Sequence, residues 1–212
     1  MDYEILESIS QGGNNAQDAE NRRIAEIADE LHRLCQLHET ESGASEENVT
    51  SFELEQRIAE QMAKTGNYWI PMMNIFNLGV PGPCGNENDT YVTEDAIYKV
   101  NNLMNSGGIL ALLQKILIHN TIFPDTAYQF HGFAGFDGRI VQPVLRQVRI
   151  ANATPATQIM IDTYMAAIGF EKGKGVGCFT NGVYYVWDVI PRNVLVDSEG
   201  DIFVVDAEIK RI

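Results

Sequence analysis

The sequence predicts an α+β protein in which N-terminal helices precede a small antiparallel sheet, one packed helix and a short C-terminal region ending in a hairpin. Three observations predict it. Apolar residues recur at helical spacing near the N-terminus and in two later segments; β-branched and aromatic runs bounded by turn residues come in pairs; and the order is strands, helix, two strands, helix, hairpin.

Residues 1–16 are polar, include Gly12-Gly13-Asn14-Asn15, and are expected to be mobile. From Asp18 to His38, Ile24, Ile27, Leu31, Leu34 and Leu37 recur at helical intervals and predict an amphipathic helix. Glu39 to Asn48 reads as a linker rich in Ser, Gly and Glu. Thr50 followed by Glu53 forms the pattern of a capping box, opening a second helix to about Lys64 with Leu54, Ile58 and Met62 on one face. The texture changes at Trp69, where an apolar stretch runs into a loop from Gly79 to Gly85.

Tyr91-Val92-Thr93 and Ala96 to Val100 predict a hairpin turning at Glu94-Asp95. Ile109 to about His119 is apolar nearly all round, as expected of a helix held between layers. Ala127–Phe133 and Ile140–Val148 read as strands joined at Gly135-Phe136-Asp137-Gly138. Thr154-Pro155 supplies an N-cap and first-turn proline for a helix to about Ile168.

A chain of 212 residues with 45% hydrophobic content can bury one sizeable core or two small ones. The net charge of −14 is uneven: residues 1–65 carry 15 acidic against 5 basic side chains, and the rest 14 against 10. Nucleic-acid and anionic-membrane surfaces need clusters of Lys and Arg, so neither partner is expected. The apolar runs are too short or interrupted to span a bilayer, and Met1-Asp2-Tyr3-Glu4 is unlike a signal peptide. Cys35, Cys84 and Cys178 are odd in number and widely spaced, which predicts a reduced, cytoplasmic protein without structural zinc.

The chemistry gathers near the C-terminus, in WDVIPRNVLVDSEGDIFVVDAEI. Val194-Leu195-Val196 and Ile202 to Val205 flank a turn-rich Asp197-Ser198-Glu199-Gly200-Asp201, which predicts an antiparallel hairpin. Residues just outside its open end lie side by side, so Asn193 and Asp206 converge as an amide oxygen beside a carboxylate. That pair suits a hard cation such as Mg²⁺ that also holds phosphates. Asp188, five positions before Asn193 on a loop braced by Pro191, is placed to orient or deprotonate an attacking hydroxyl. The bland alternative is that Asp188 and Asn193 cap a turn while Asp206 ends a strand.

With DxxPxN at Asp188 to Asn193, the hairpin and Asp206 in view, the chain from about Trp69 onward resembles the protein-kinase-like fold. It is most similar to the small kinase domains found in polyvalent proteins of phages and conjugative elements. The resemblance implies a minimal kinase-like fold: a helical extension over 1–65, an N-lobe over 66–148 and a reduced C-lobe over 149–212. It implies ATP with Mg²⁺ or Mn²⁺, Asp188 as the catalytic aspartate, and Asn193 and Asp206 as metal ligands. Lys99 would contact the α- and β-phosphates; the alternative is a solvated lysine on an edge strand. Gly79, Gly82 and Gly85 resemble a divergent glycine-rich loop whose N–H groups face phosphates, although Pro81 and Pro83 remove donors. Gln142-Pro143-Val144 would form the hinge beside adenine, so Gln142 and Val144 join Gly82 and Gly85 as nucleotide contacts.

Some family features are missing. No acid occurs in residues 109–119 to pair with Lys99, which leaves Gln114 as its polar substitute. Ile190 stands where many kinases carry a lysine. The glycine-rich Lys172 to Gly177 offers two cations but lacks the GK[ST] ending of a P-loop, and reads as a connector whose lysines are within possible reach of phosphate or substrate. Ile212 follows Asp206 by six positions, without an activation loop or peptide platform, so the expected acceptor is a small molecule or a protein bound through another surface. Three functions stand open: an ATP/Mg-dependent phosphotransferase, a nucleotide-binding pseudokinase acting as switch or scaffold, and an interaction module without nucleotide that works through the acidic helices.

Overall fold

The computed structural model describes residues 16–41 and 50–212. The expectations for the first fifteen residues and for the core of the Ser/Gly/Glu linker lie outside the described residues. The fold is α+β, as the sequence predicts, and its described residues divide into two compact units. The first takes those up to Leu117 together with Tyr128–Gln147; the second takes Ile118–Ala127 and Val148–Ile212.

In the first unit, helix α1 (Ala16–Glu41) buries Ile24 and Leu31 of the stripe read from the sequence, with Ala28 beside them, while Ile27 and Leu34 are half-buried and Leu37 is exposed. Helix α2 (Ser51–Thr65) starts at the expected capping box: the Thr50 hydroxyl accepts from Glu53 N at 3.2 Å, and Glu53 Oε2 accepts from Thr50 N at 2.9 Å. The two helices pack on each other, and both pack on strand β5 (Gln129–Gly135). Their acidic and amide side chains do specific work there. Glu20 accepts from Phe130 N at 2.8 Å, and Gln56 accepts from Val141 N at 2.5 Å.

The sheet has six strands in the order β1-β5-β6-β4-β3-β2. Besides β5, these are β1 (Trp69–Pro71), β2 (Val80–Pro81), β3 (Asn88–Val92), β4 (Ala96–Asn101) and β6 (Val141–Val148). β3 and β4 form the expected hairpin, with Thr90 opposite Lys99 and the turn closed by Thr93 N donating to Ala96 O at 2.9 Å. The sheet closes over Ile75, Tyr91, Val100, Ala134 and Val144. Helix α3 (Ile109–Ile122) is buried or half-buried at every position except Ala111 and Thr121, as its all-round apolarity predicts.

The second unit holds two small sheets, one of β12 (Ile202–Val204), β11 (Val194–Val196) and β7 (Thr154–Pro155), the other of β13 (Glu208–Arg211), β10 (Tyr184–Trp187), β9 (Phe179–Thr180) and β8 (Glu171–Lys172), in those orders. Here the expected helix start at Thr154-Pro155 is corrected. Those residues form β7 (Thr154–Pro155), aligned against Leu195 and Val196 of β11 (Val194–Val196). Pairing with a strand forty residues away overrides a local capping signal. Helix α4 (Gln158–Ala167) starts later, where the Thr157 hydroxyl accepts from Met160 N. The expected hairpin forms from β11 and β12 (Ile202–Val204), with Val194 opposite Val204.

Candidate functional site

Two strand ladders in the second unit bring the three predicted residues together. The β11–β12 ladder ends at Val194 and Val204, and beyond it both Val205 N and Asp206 N donate to Asn193 O, at 3.0 and 3.4 Å. The second ladder was not foreseen. The residues after Asp206 form β13 (Glu208–Arg211), antiparallel to β10 (Tyr184–Trp187), with Trp187 opposite Glu208. Asp188 leaves β10 just where the chain arrives from Asp206, so one ladder aligns Asn193 with Asp206 and the other brings Asp188 to the same end.

The side chains then lock. Asn193 Nδ2 donates to Asp188 O and to Asp188 Oδ2, each at 2.8 Å. That leaves Asn193 Oδ1 with no hydrogen bond among the described residues. Asp188 has φ +60°, a left-handed conformation that a non-glycine residue adopts only when its surroundings hold it there. The holding groups are Asn193 Nδ2 and Ile190 N, which donates to Asp188 O at 3.0 Å. Val189 beside it is fully buried.

Sequence reasoning missed the cation next to Asp188. With Ile190 in place of lysine, none was expected, yet Arg192 Nη2 lies 2.9 Å from Asp188 Oδ1 and 3.1 Å from Oδ2. Its guanidinium is largely exposed and so is open to a ligand as well. The signal was present in the sequence as the residue before Asn193. A 3-10 turn over Pro191–Asn193 is what folds an i+4 side chain back onto the aspartate.

The glycine-rich segment from Lys172 to Gly177 also touches this loop. Val189 N donates to Gly177 O at 3.1 Å, and a Cβ on Gly177, whose φ is +70°, would lie 2.5 Å from Ile190 Cγ2. Only glycine fits there. Lys172 is held by Asp162 at 2.6 Å, while Lys174 makes no ion pair among the described residues.

In the first unit, Lys99 lies on β4, between β6 and β3, and is 8% exposed. The solvated edge lysine is thereby excluded. Its Nζ donates to the Tyr128 hydroxyl at 3.0 Å and sits 4.9 Å from the Tyr128 ring centroid, a cation–π contact. Gln114 is half-buried on α3.

The residues expected to contact nucleotide in this unit lie in two places. Gly82 N donates to Thr90 O and Gly85 N to Asn88 O, both at 2.9 Å, so these N–H groups close the β2–β3 connection rather than face outward. Gly82 has a steric reason to be glycine: a Cβ would lie 2.6 Å from Thr90 Oγ1. Gln142 and Val144 do not form a hinge. They lie inside β6, where Val144 pairs with Gly132 and is fully buried, and the chain passes to the second unit at Gln147–Val148. The strand runs on through Pro143, which lies opposite Phe133 of β5.

A residue with no sequence signature stands out in the same unit. Glu55 of α2 accepts from Ile109 N at 2.8 Å and from Leu110 N at 2.9 Å, capping the N-terminus of α3 with a buried carboxylate. Residues 54 positions apart supply the cap, which local capping patterns cannot reveal.

The fold is that of a kinase-like protein. A family described as serine/threonine/tyrosine kinases found in polyvalent proteins matches residues 53–211, most of the chain, and the chain belongs to it. The match begins within α2. No curated protein matches the chain significantly.

Proposed function

We propose that the chain is a phosphotransferase that uses ATP with Mg²⁺ or Mn²⁺. The observation that carries this is the Asn193 amide, turned by Asp188 so that its oxygen is left without a protein partner next to Asp206. Two oxygen donors, one of them a carboxylate, are the protein share expected of a Mg²⁺ that takes its other ligands from phosphate and water. When bound, the metal neutralises charge on the phosphates. Asn193 and Asp206 hold it. Asp188 accepts a proton from, or orients, the acceptor hydroxyl, and Arg192 offsets negative charge beside it. Lys99 contacts the nucleotide phosphates, with Gln114 as the polar group on α3; Gly82 and Gly85 shape their loop and supply no donors.

A second reading is favoured by one observation. Residues 109–122 contain no acid, so no carboxylate on α3 can form the usual ion pair with Lys99. A pseudokinase that binds nucleotide as a switch or scaffold fits that feature. The acceptor of an active enzyme is a protein or a small molecule, in a cytoplasmic setting consistent with three cysteines that form no disulfide. Among the described residues, no helix is long and apolar enough to cross a membrane.

Turnover separates the readings. Wild type incubated with ATP and Mg²⁺ is expected to release or transfer phosphate, and Asp188→Ala to lose this by about a hundredfold or more. Activity unchanged in Asp188→Ala would remove Asp188 from the mechanism, and nucleotide binding without turnover would favour the pseudokinase.

A further inference from the structure

The second unit carries a groove of about 640 Å³ formed by α4, the β11–β12 hairpin and the turn at Pro124–Thr126. It contains none of Asp188, Asn193 or Asp206. Its floor is apolar: Tyr164, Ile202 and Phe203 are half-buried there, and Ile159 at its edge is 79% exposed, an unusual position for a branched aliphatic side chain. Asp125, on the turn at Pro124–Thr126, and Asp201, in the β11–β12 hairpin, both line the groove. No Lys, Arg or His lines it, and neither carboxylate has an ion-pair partner among the described residues. The Tyr164 hydroxyl is pushed above the ordinary tyrosine value by burial and then by the charge of Asp125, as expected where an unpaired carboxylate faces an apolar floor.

We propose that this groove docks a peptide segment of a partner protein, one that presents branched apolar side chains next to Lys or Arg. The apolar side chains would cover Ile159 and Phe203, and the cations would face Asp125 and Asp201. Charge selects this occupant over a second copy of the chain, because a protein of net charge −14 repels itself most where two carboxylates are already unpaired. This docking does not depend on nucleotide chemistry.

The test uses the full chain and fluorescence anisotropy with a short labelled peptide in which leucines alternate with arginines. The peptide is expected to bind, and to bind about tenfold more weakly to Asp125→Lys/Asp201→Lys and to Ile159→Glu. All three positions are exposed, so the variants should melt as wild type does. Charge reversal at Glu171, an exposed acid of the same unit that does not line the groove, is expected to change affinity by less than about twofold, which separates the groove from general attraction to an acidic protein. Absence of binding, equal binding of a peptide with glutamates or serines substituted, or affinity unchanged by the groove variants would overturn the proposal. Self-association abolished by Ile159→Glu would also overturn it, by assigning the face to a second copy.

Discussion

Asn193 gives both amide hydrogens to Asp188, one to the main-chain oxygen and one to Oδ2, at 2.8 Å each. One amide therefore performs two functions, holding the aspartate loop in its left-handed turn and presenting its own oxygen.

Asn193→Ala separates these functions by magnitude. Loss of the two bonds is expected to lower unfolding stability by on the order of 1–2 kcal/mol, read from a urea titration. The stabilisation that Mg²⁺ with ATP gives to wild type is expected to disappear altogether.

Glu55 sets a different expectation. Two charge-assisted bonds to Ile109 N and Leu110 N anchor α3, so Glu55→Ala should cost on the order of 3 kcal/mol in the same titration. Gly108→Ala should also destabilise, since its Cβ would lie 2.5 Å from Glu55 Oε2.

Tyr128→Phe removes the hydroxyl that accepts from Lys99. The ring and its cation–π contact remain, so the expected cost is about 1 kcal/mol. Lys99→Met should leave the fold standing but weaken ATP binding, measured by calorimetry; ATP affinity equal to that of wild type would remove the lysine from the nucleotide site.

Asp162 links stability to pH. The Lys172 ammonium at 2.6 Å, followed by the Gln158 amide, holds its carboxyl below the ordinary aspartate value of 3.8. A depressed carboxyl contributes stability that is present above 3.8 and is lost as pH falls through the lower folded value. Because Lys172 is 69% exposed, the pair is screened, and Asp162→Asn should cost less than about 1 kcal/mol at pH 7. The difference from wild type should vanish at the acid end of a pH series of melts.

Much of this was legible because it is local. The Thr50–Glu53 capping box, the β3–β4 turn and the β11–β12 hairpin each lie within a few residues of the groups that specify them. The convergence of Asn193 and Asp206 followed from the last of these. What was not legible depends on distant partners. Thr154-Pro155 reads as a helix start until β11 recruits it, and the hinge assigned to Gln142–Val144 fails because β6 continues to Val148. Glu55 and Arg192 are ordinary surface types by sequence. Only a helix packed against Ile109, or a 3-10 turn after Pro191, gives them partners.

The central claim is that Asn193 and Asp206 hold a metal that carries nucleotide. Thermal melting of wild type and Asp206→Ala with ATP, with Mg²⁺ and with both tests it most directly, because a ligand bound only to the native state raises the melting temperature by mass action. Wild type is expected to melt higher only when both are present, and Asp206→Ala to show no such rise while melting normally alone. An equal rise in Asp206→Ala would contradict the account.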